Sequence, residues 1–366
     1  MASNSFGSLF RFTTWGETHG KAVGVVIDGC PAGIPLNEED INAALARRAP
    51  GKNPYVSPRM EKDRAGILSG VFDGVSTGAP ISIIVENGDA DSRKYADMAA
   101  LLRPGHANYT YLQKYGVFDY RGGGRASARE TVGRVAAGSI AGQMLHSAGI
   151  KAYAWLGGVG CAASFPMADA ETSRFREAAA FAETSLLFAP DKQAEEEFIR
   201  EIERAKRDKD SIGGVVSFAA EGIPPGLGDP VYGKLSALLA SAMMSIPASK
   251  GFEMGAGFAS AALRGSVFND SFCRRDGQTM LASNRAGGTL GGISNGRPLY
   301  GRVAFKPASS IFQVQKTVDL QGNEVEFMLP EGSRHDPCVA VRAVPVVRAM
   351  CLLVLADAWL MNRTAR

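Results

Sequence analysis

Histidine is scarce in this 366-residue chain, with four copies, and tryptophan is scarcer, with three. Five cysteines (Cys30, Cys161, Cys273, Cys338 and Cys351) are odd in number, scattered, and form no C-x-x-C pair. That spacing excludes a disulfide framework and a structural zinc site; no metal centre is expected, and a reducing cytoplasm fits best. The N-terminal MASNSFGSLFRF has no basic segment leading into an apolar one, so no signal peptide is expected. No apolar run is long and uninterrupted. The most apolar stretch, 343–361, is broken by Arg348 and Asp357 and is expected to be a buried amphipathic helix, not a membrane span. The net charge of +3 is too small for a phosphate-backbone binder, though it leaves room for a local basic pocket. Two phosphate signatures are also missing. Without G-x-x-x-x-G-K-[ST] a P-loop NTPase is excluded, and without G-x-G-x-x-G in a strand–helix unit so is a Rossmann dehydrogenase.

What is present is a chain with 45% apolar and 21% charged residues, enough to build a real core. Short β-branched runs at 22–27, 81–85, 215–218 and 300–305 are bounded by Gly, Asp or Pro and read as strands. Asn37, with Asp40 three residues on, predicts a capped helix through Arg48. A second helix is predicted from about Ala128 to His146, stopped by Gly149. Residues 191–209 predict an exposed helix with Phe198, Ile202 and Ala205 as its apolar stripe, and a core stripe is predicted for Tyr232, Leu235, Leu239 and Met243. With no repeat, no linker and no regular βαβ rhythm, the expected class is α+β, as one domain over 1–366.

Glycine is abundant, at 43 residues, and its clusters beside arginine and serine are informative. Residues 121–130, RGGGRASARE, put Arg121, Arg125 and Arg129 around three glycines ahead of a helix N-terminus, where guanidinium forks and free N–H groups would hold an anion. Arg47, Arg48, Arg59, Arg103 and Arg334 are candidates for the same pocket, and so much cation with few nearby acids implies a multiply anionic ligand. Lys306-Pro307-Ala308-Ser309-Ser310, after a strand, suits a phosphate monoester. Three histidines sit in polar or glycine-rich turns, His19 in GETHG, His106 in RPGHAN and His335 in RHDPC, and are proton-transfer candidates. His146, on a helix, is the expected bystander.

Six runs, GETHG (16–20), RPGHAN (103–108), RGGGRASARE (121–130), AGGTLGGIS (286–294), KPASS (306–310) and RHDPC (334–338), stand in one order, with RAVPV at 342–346 among the supporting stretches. In this the chain resembles the chorismate synthase family, from about Phe6 to about Asp357. The resemblance implies a β-α-β sandwich with helices between antiparallel sheets, a homotetramer, and a 1,4-anti elimination of phosphate from 5-enolpyruvylshikimate 3-phosphate. It also implies reduced FMN without net redox change. NADPH would enter only if the enzyme reduced its own flavin, and no nicotinamide motif is visible.

By the same resemblance His19 would be the acid toward the leaving phosphate, His106 would stabilise charge on the reduced flavin, and Asp336 would work with the flavin in removing the C6 proton. Thr18, Arg48, Arg103, Ser127, Ala128, Arg129 and Arg334 would hold the substrate. Arg125, Ala126, Ser127, Pro247, Ala248, Gly291, the 306–310 run and Arg334 would hold FMN. The chain departs from the family pattern at Thr18, usually serine, and at Pro54, often arginine. RNA binding through the single RGG-like run, a flavin-free phosphate-binding transferase, and a non-catalytic scaffold are the competing readings.

Overall fold

The computed structural model describes residues 3–51, 53–59, 61–88, 98–167, 172–275, 277–330 and 332–365. Two five-stranded antiparallel sheets form its outer framework. In the first, Ala22–Asp28 lies between Arg11–Gly16 and Ile81–Glu86, with Ser5–Phe6 and Ala65–Ile67 at the edges. Ile81, Ile83 and Val85 are buried while the residues between them are not. That alternation marks a sheet with one face on the core. In the second, Gly214–Glu221 lies between Lys151–Val159 and Leu299–Phe305, with Phe218 opposite Ala154 and Gly301. Lys151–Val159 is buried over its last six residues on both faces. Its inner face meets the helical layer, and its outer face is covered where Trp155 stacks on Phe175.

The helices are α1 (Glu38–Arg48), α2 (Asn108–Tyr115), α3 (Thr131–Ser147), α4 (Thr172–Thr184), α5 (Lys192–Arg207), α6 (Leu235–Met244), the short α7 (Gly265–Phe268) and α8 (Val339–Asn362). Between the sheets run α1, α3, α6 and α8, so the expected β-α-β sandwich and α+β class are what the chain adopts. Asn37 caps α1 by accepting from the Asp40 N–H at 2.8 Å. The second predicted helix starts as a 3-10 turn over Ala128–Glu130 and becomes α3, with Gly149 beyond its end at φ 75°. Gly138 of α3 packs so closely on α8 that a Cβ there would lie 2.5 Å from that of Ala349.

Two expectations are corrected. The stretch at 343–361 is helical, but α8 is apolar on nearly every side, because it is sandwiched between layers and needs no polar face. It is long and apolar enough to cross a membrane, yet lies in the protein core. Leu235, Leu239 and Met243 are buried as predicted, whereas Tyr232 precedes α6 and is 93% exposed. The exposed helix of 191–209 is α5, with Phe198, Ile202 and Ala205 buried.

Asp357 near the end of α8 is buried and accepts from the backbone N–H groups of Ser8, Leu9 and Phe10 at 2.7–2.9 Å. It thereby pins the entry of the first sheet to the last helix. Asp357→Ala would leave three donors without their charged acceptor, so a loss of about 3 kcal/mol is expected in urea unfolding. A loss below about 0.5 kcal/mol, the range of an ordinary surface substitution, would show that this clamp contributes little.

Candidate active site

Two adjoining cavities open where loops from both sheets meet the N-termini of the 3-10 turn and α8. The first, of about 180 Å³, is lined by Thr18 and His19, Arg59, Arg103 and His106, Gly122, Gly123 and Ser127, Ser310, and Arg334 with His335. The second, of about 580 Å³, is lined by Arg48, Arg125, Ala126, Ala128, Pro247, Ala248, Lys306 through Ser310, Asp336 and Arg342. His106, Ser310 and His335 stand in the walls of both.

The first and third motifs are interlocked. Gly122 has φ 71°, and a Cβ on it would lie 2.9 Å from the His19 ring and 3.4 Å from the Thr18 methyl. Only glycine lets the loop pass there. Thr18 donates its hydroxyl hydrogen to the Gly124 carbonyl at 3.1 Å, and its methyl packs beside Gly122, so the threonine is accommodated. Ser127 then caps the 3-10 turn by accepting from the Arg129 N–H at 3.2 Å.

His106 is set among cationic and N–H groups. A guanidinium nitrogen of Arg103 lies 2.9 Å from His106 Nε2 and also donates to the Gly122 carbonyl at 2.6 Å. The Asn108 N–H donates to His106 Nδ1 at 3.2 Å. Burial first, then Arg103 and Lys306, push the His106 imidazole down to about 3. His106 is therefore neutral at physiological pH, and Arg103 carries the positive charge beside it.

The arginines divide into groups that the sequence lumped together. Arg59, Arg103 and Arg334 face the first cavity. Arg48 and Arg129 are buried and bound to carboxylates: Arg48 to Asp63 at 2.5 Å, and Arg129 to Glu61 at 2.6 Å and to Asp63. Arg48 still borders the second cavity, whereas Arg129 lines neither. The expectation of few nearby acids is thus corrected, since a buried guanidinium needs counter-charge and Glu61 and Asp63 supply it. Arg121 is exposed and pairs with Asp119 at 2.8 Å. Arg47 points into a separate cleft, where it pairs with Glu183. Arg125 lines the second cavity but donates to Gly16, Thr14 and Asn4 at 2.8–3.2 Å, anchoring the glycine loop to the first sheet.

The remaining candidate residues fall into place around these. Lys306 donates to the Gly105 carbonyl at 2.8 Å, and Ala248, held at φ 70°, accepts from the Lys306 N–H at 3.0 Å. Gly291 is exposed at the tip of the hairpin Thr289–Ser294 and lines neither cavity. Pro54 is exposed, its carbonyl held by Lys206 at 2.8 Å. His146 lines the cleft that holds Arg47, away from both cavities. His335, singled out but given no role, stands between the cavities with its ring 4.9 Å from that of Phe312. Arg342, Glu61 and Asp63 were missed altogether. The RAVPV run could have flagged Arg342; nothing local marks the two acids.

An α+β scaffold with paired cavities, one strongly cationic and one mixed, defines a small-molecule enzyme for a polyanionic substrate. A chorismate synthase family model matches residues 10–360. The chain is 54% identical over 364 residues to the chorismate synthase of Protochlamydia amoebophila, covering 99% of each. It is 51% identical to that of Archaeoglobus fulgidus, covering 98% of each. A crystal structure of chorismate synthase superposes with a TM-score of 0.77 at 34% identity, over 97% of this chain and 93% of that one. The chain belongs to the chorismate synthase family, carbon–oxygen lyases of the shikimate pathway that form chorismate from 5-enolpyruvylshikimate 3-phosphate.

His106 gives a pH test. Its folded value lies below the ordinary 6.5 of the unfolded chain, so its contribution to stability is complete above about pH 6.5 and is lost as pH falls toward 3. Its imidazole NMR signals are expected not to titrate between pH 5 and 8, and Arg103→Gln is expected to move the midpoint upward. A wild-type midpoint near 6.5 would refute the assignment of a neutral ring.

Proposed function

We propose that the first cavity holds the shikimate-derived substrate and the second holds reduced FMN. The contiguity of the cavities across His106, Ser310 and His335 is the observation that carries this reading. The substrate brings two carboxylates and a phosphate, which suits Arg59, Arg103 and Arg334 in one small space. The residues of the second cavity also fit the flavin. Lys306, Ser309 and Ser310 give a polar end for its phosphate, and Pro247, Ala248, Val339, Ala343 and Val346 give an apolar wall for its ring system. When bound, reduced FMN supplies transient electron density that weakens the carbon–oxygen bond to phosphate.

The chain's own groups do the rest. His19, 9% exposed and packed on Gly122, delivers a proton toward the departing phosphate. His106 meets negative charge on the flavin as a neutral hydrogen-bonding group, and the cation behind it is Arg103. Asp336, in the wall of the second cavity beside the flavin, is the final acceptor of the C6 proton. Arg48 and Arg129 act on the substrate through the position of the loops they brace, while Ser127 lines the first cavity and Ala128 the second. Gly291 reaches no flavin bound within the same chain, and we assign it no contact there.

We read the chain as one domain over 1–366, in keeping with a hydrophobic cluster that includes residues of both sheets and the helices between them. A homotetramer accords with exposed Tyr232 and Phe258. A cytoplasmic setting accords with five free cysteines. Flavin reduced by an external system, not by NADPH on this chain, is the simpler reading.

Anaerobic turnover of 5-enolpyruvylshikimate 3-phosphate with chemically reduced FMN is expected to release phosphate and chorismate in equal amounts, with none from oxidised FMN. His19→Ala is expected to lower kcat by about 100-fold, the usual worth of a positioned acid. Turnover with oxidised FMN, or full activity of the His19 variant, would refute the corresponding assignment.

A further inference from the structure

We propose that Arg342 is the positioning residue for Asp336. The inference rests on the reading of Asp336 as the proton acceptor and adds what holds that carboxylate in place. Arg342 lies in the first turn of α8, six residues after Asp336. Its Nη1 donates to Asp336 Oδ2 at 2.8 Å, while its Nε donates to the Arg48 carbonyl at 3.2 Å. That carbonyl closes α1, where backbone oxygens lack partners within the helix. The other oxygen of Asp336, Oδ1, accepts from the Ser57 N–H at 2.8 Å. Among the described residues each oxygen is thus fixed by one donor and keeps a lone pair.

The two side chains are 13% and 12% exposed, so the pair is neither a solvent-screened surface bridge nor sealed from the cavity. A planar guanidinium can bridge the end of α1 and a carboxylate at the start of α8 in one rigid unit; an ammonium presents a single point charge and cannot span both. The proton transfer balances simply. Over the elimination the C6–H bond breaks, an O–H bond forms on Asp336, and the electron pair enters the new double bond as phosphate departs. Arg342 touches none of the reacting atoms and acts only through the orientation of Asp336.

The test compares Arg342→Met, Arg342→Lys, Asp336→Asn and the double variant R342M/D336N, with reduced FMN supplied chemically. Arg342→Met is expected to lower kcat by about 100-fold with KM changed less than about threefold, since misplacing a catalytic group costs turnover and not binding. Deuterium at C6 is expected to slow this variant more than wild type. Arg342→Lys is expected to recover roughly tenfold of the loss, as charge returns without the fork. The double variant is expected to match Asp336→Asn alone, because the two act as one unit. In flavin-free protein, hydrogen exchange of the segment 53–59 is expected to quicken in Arg342→Met as Ser57 loses its acceptor, a readout independent of turnover.

Losses that multiply in the double variant would overturn the proposal, as would an Arg342→Met enzyme of normal kcat beside a crippled Asp336→Asn. If Arg342→Met does not fold, the lysine variant decides, and unchanged kcat with unchanged exchange at 53–59 counts against the proposal. Full turnover by Asp336→Asn would instead remove the proton-acceptor reading itself.

Discussion

The active-site loops depend on a buried cluster of four charges. Arg48 closes α1, Arg129 sits in the turn that opens α3, and Glu61 and Asp63 lie on the segment between α1 and the edge strand Ala65–Ile67. Burial alone would raise the Asp63 carboxyl, but the two guanidinium groups outweigh it and hold it below the ordinary range. Such a cluster is costly to assemble and far costlier to break, at about 3–5 kcal/mol for one missing partner. Its value here is registry. Arg129 also donates to Asn87 and to the Glu86 carbonyl at 2.8 and 3.2 Å, so α1, α3 and the first sheet are locked at one point behind the cavities.

That arrangement explains why a chain of net charge +3 can hold a polyanion. The cationic residues separate by depth. Arg48 and Arg129 lie buried among Glu61 and Asp63, whereas Arg59, which also reaches Glu61 at 3.6 Å, faces the first cavity with Arg103 and Arg334, and these three set its potential. Crowding of like charge has a further consequence at His106, whose ring is kept neutral by burial and by its cationic neighbours. Cation and hydrogen-bonding group therefore sit on different residues that touch each other, an arrangement that a single protonated imidazole would not provide over a wide pH range.

Much of this was legible in the sequence, because periodicity and capping are local. Asn37 caps α1, Gly149 follows α3, and the four strand segments fall inside the observed strands. The motif order identified the family, and most residues named from it do line the two cavities. What failed is non-local. Whether Arg129 meets a ligand or a carboxylate depends on Glu61 and Asp63, which are 68 and 66 residues away in sequence. Tyr232 has the right spacing for the α6 stripe, but the chain turns before Lys234, and spacing has no meaning outside the helix. The 343–361 stretch was misjudged in the opposite sense, since helical spacing does not tell how many sides of a helix will be covered.

The site residues come almost entirely from loops, several of them tied directly to a rigid element. The glycine run enters α3 and is fastened to the first sheet by Arg125. The Lys306 run leaves the strand Leu299–Phe305, and Arg334 to Asp336 lead into α8. Because Gly138 and Ala349 bring α3 and α8 into close contact, these entrances share one rigid base. A loop array on such a base can hold charged side chains at fixed separations without burying the loops' own backbone, which would otherwise need its own partners. The sandwich therefore does more than shelter a core. Its two central helices set the spacing between the glycine-rich loop and the Asp336 carboxylate.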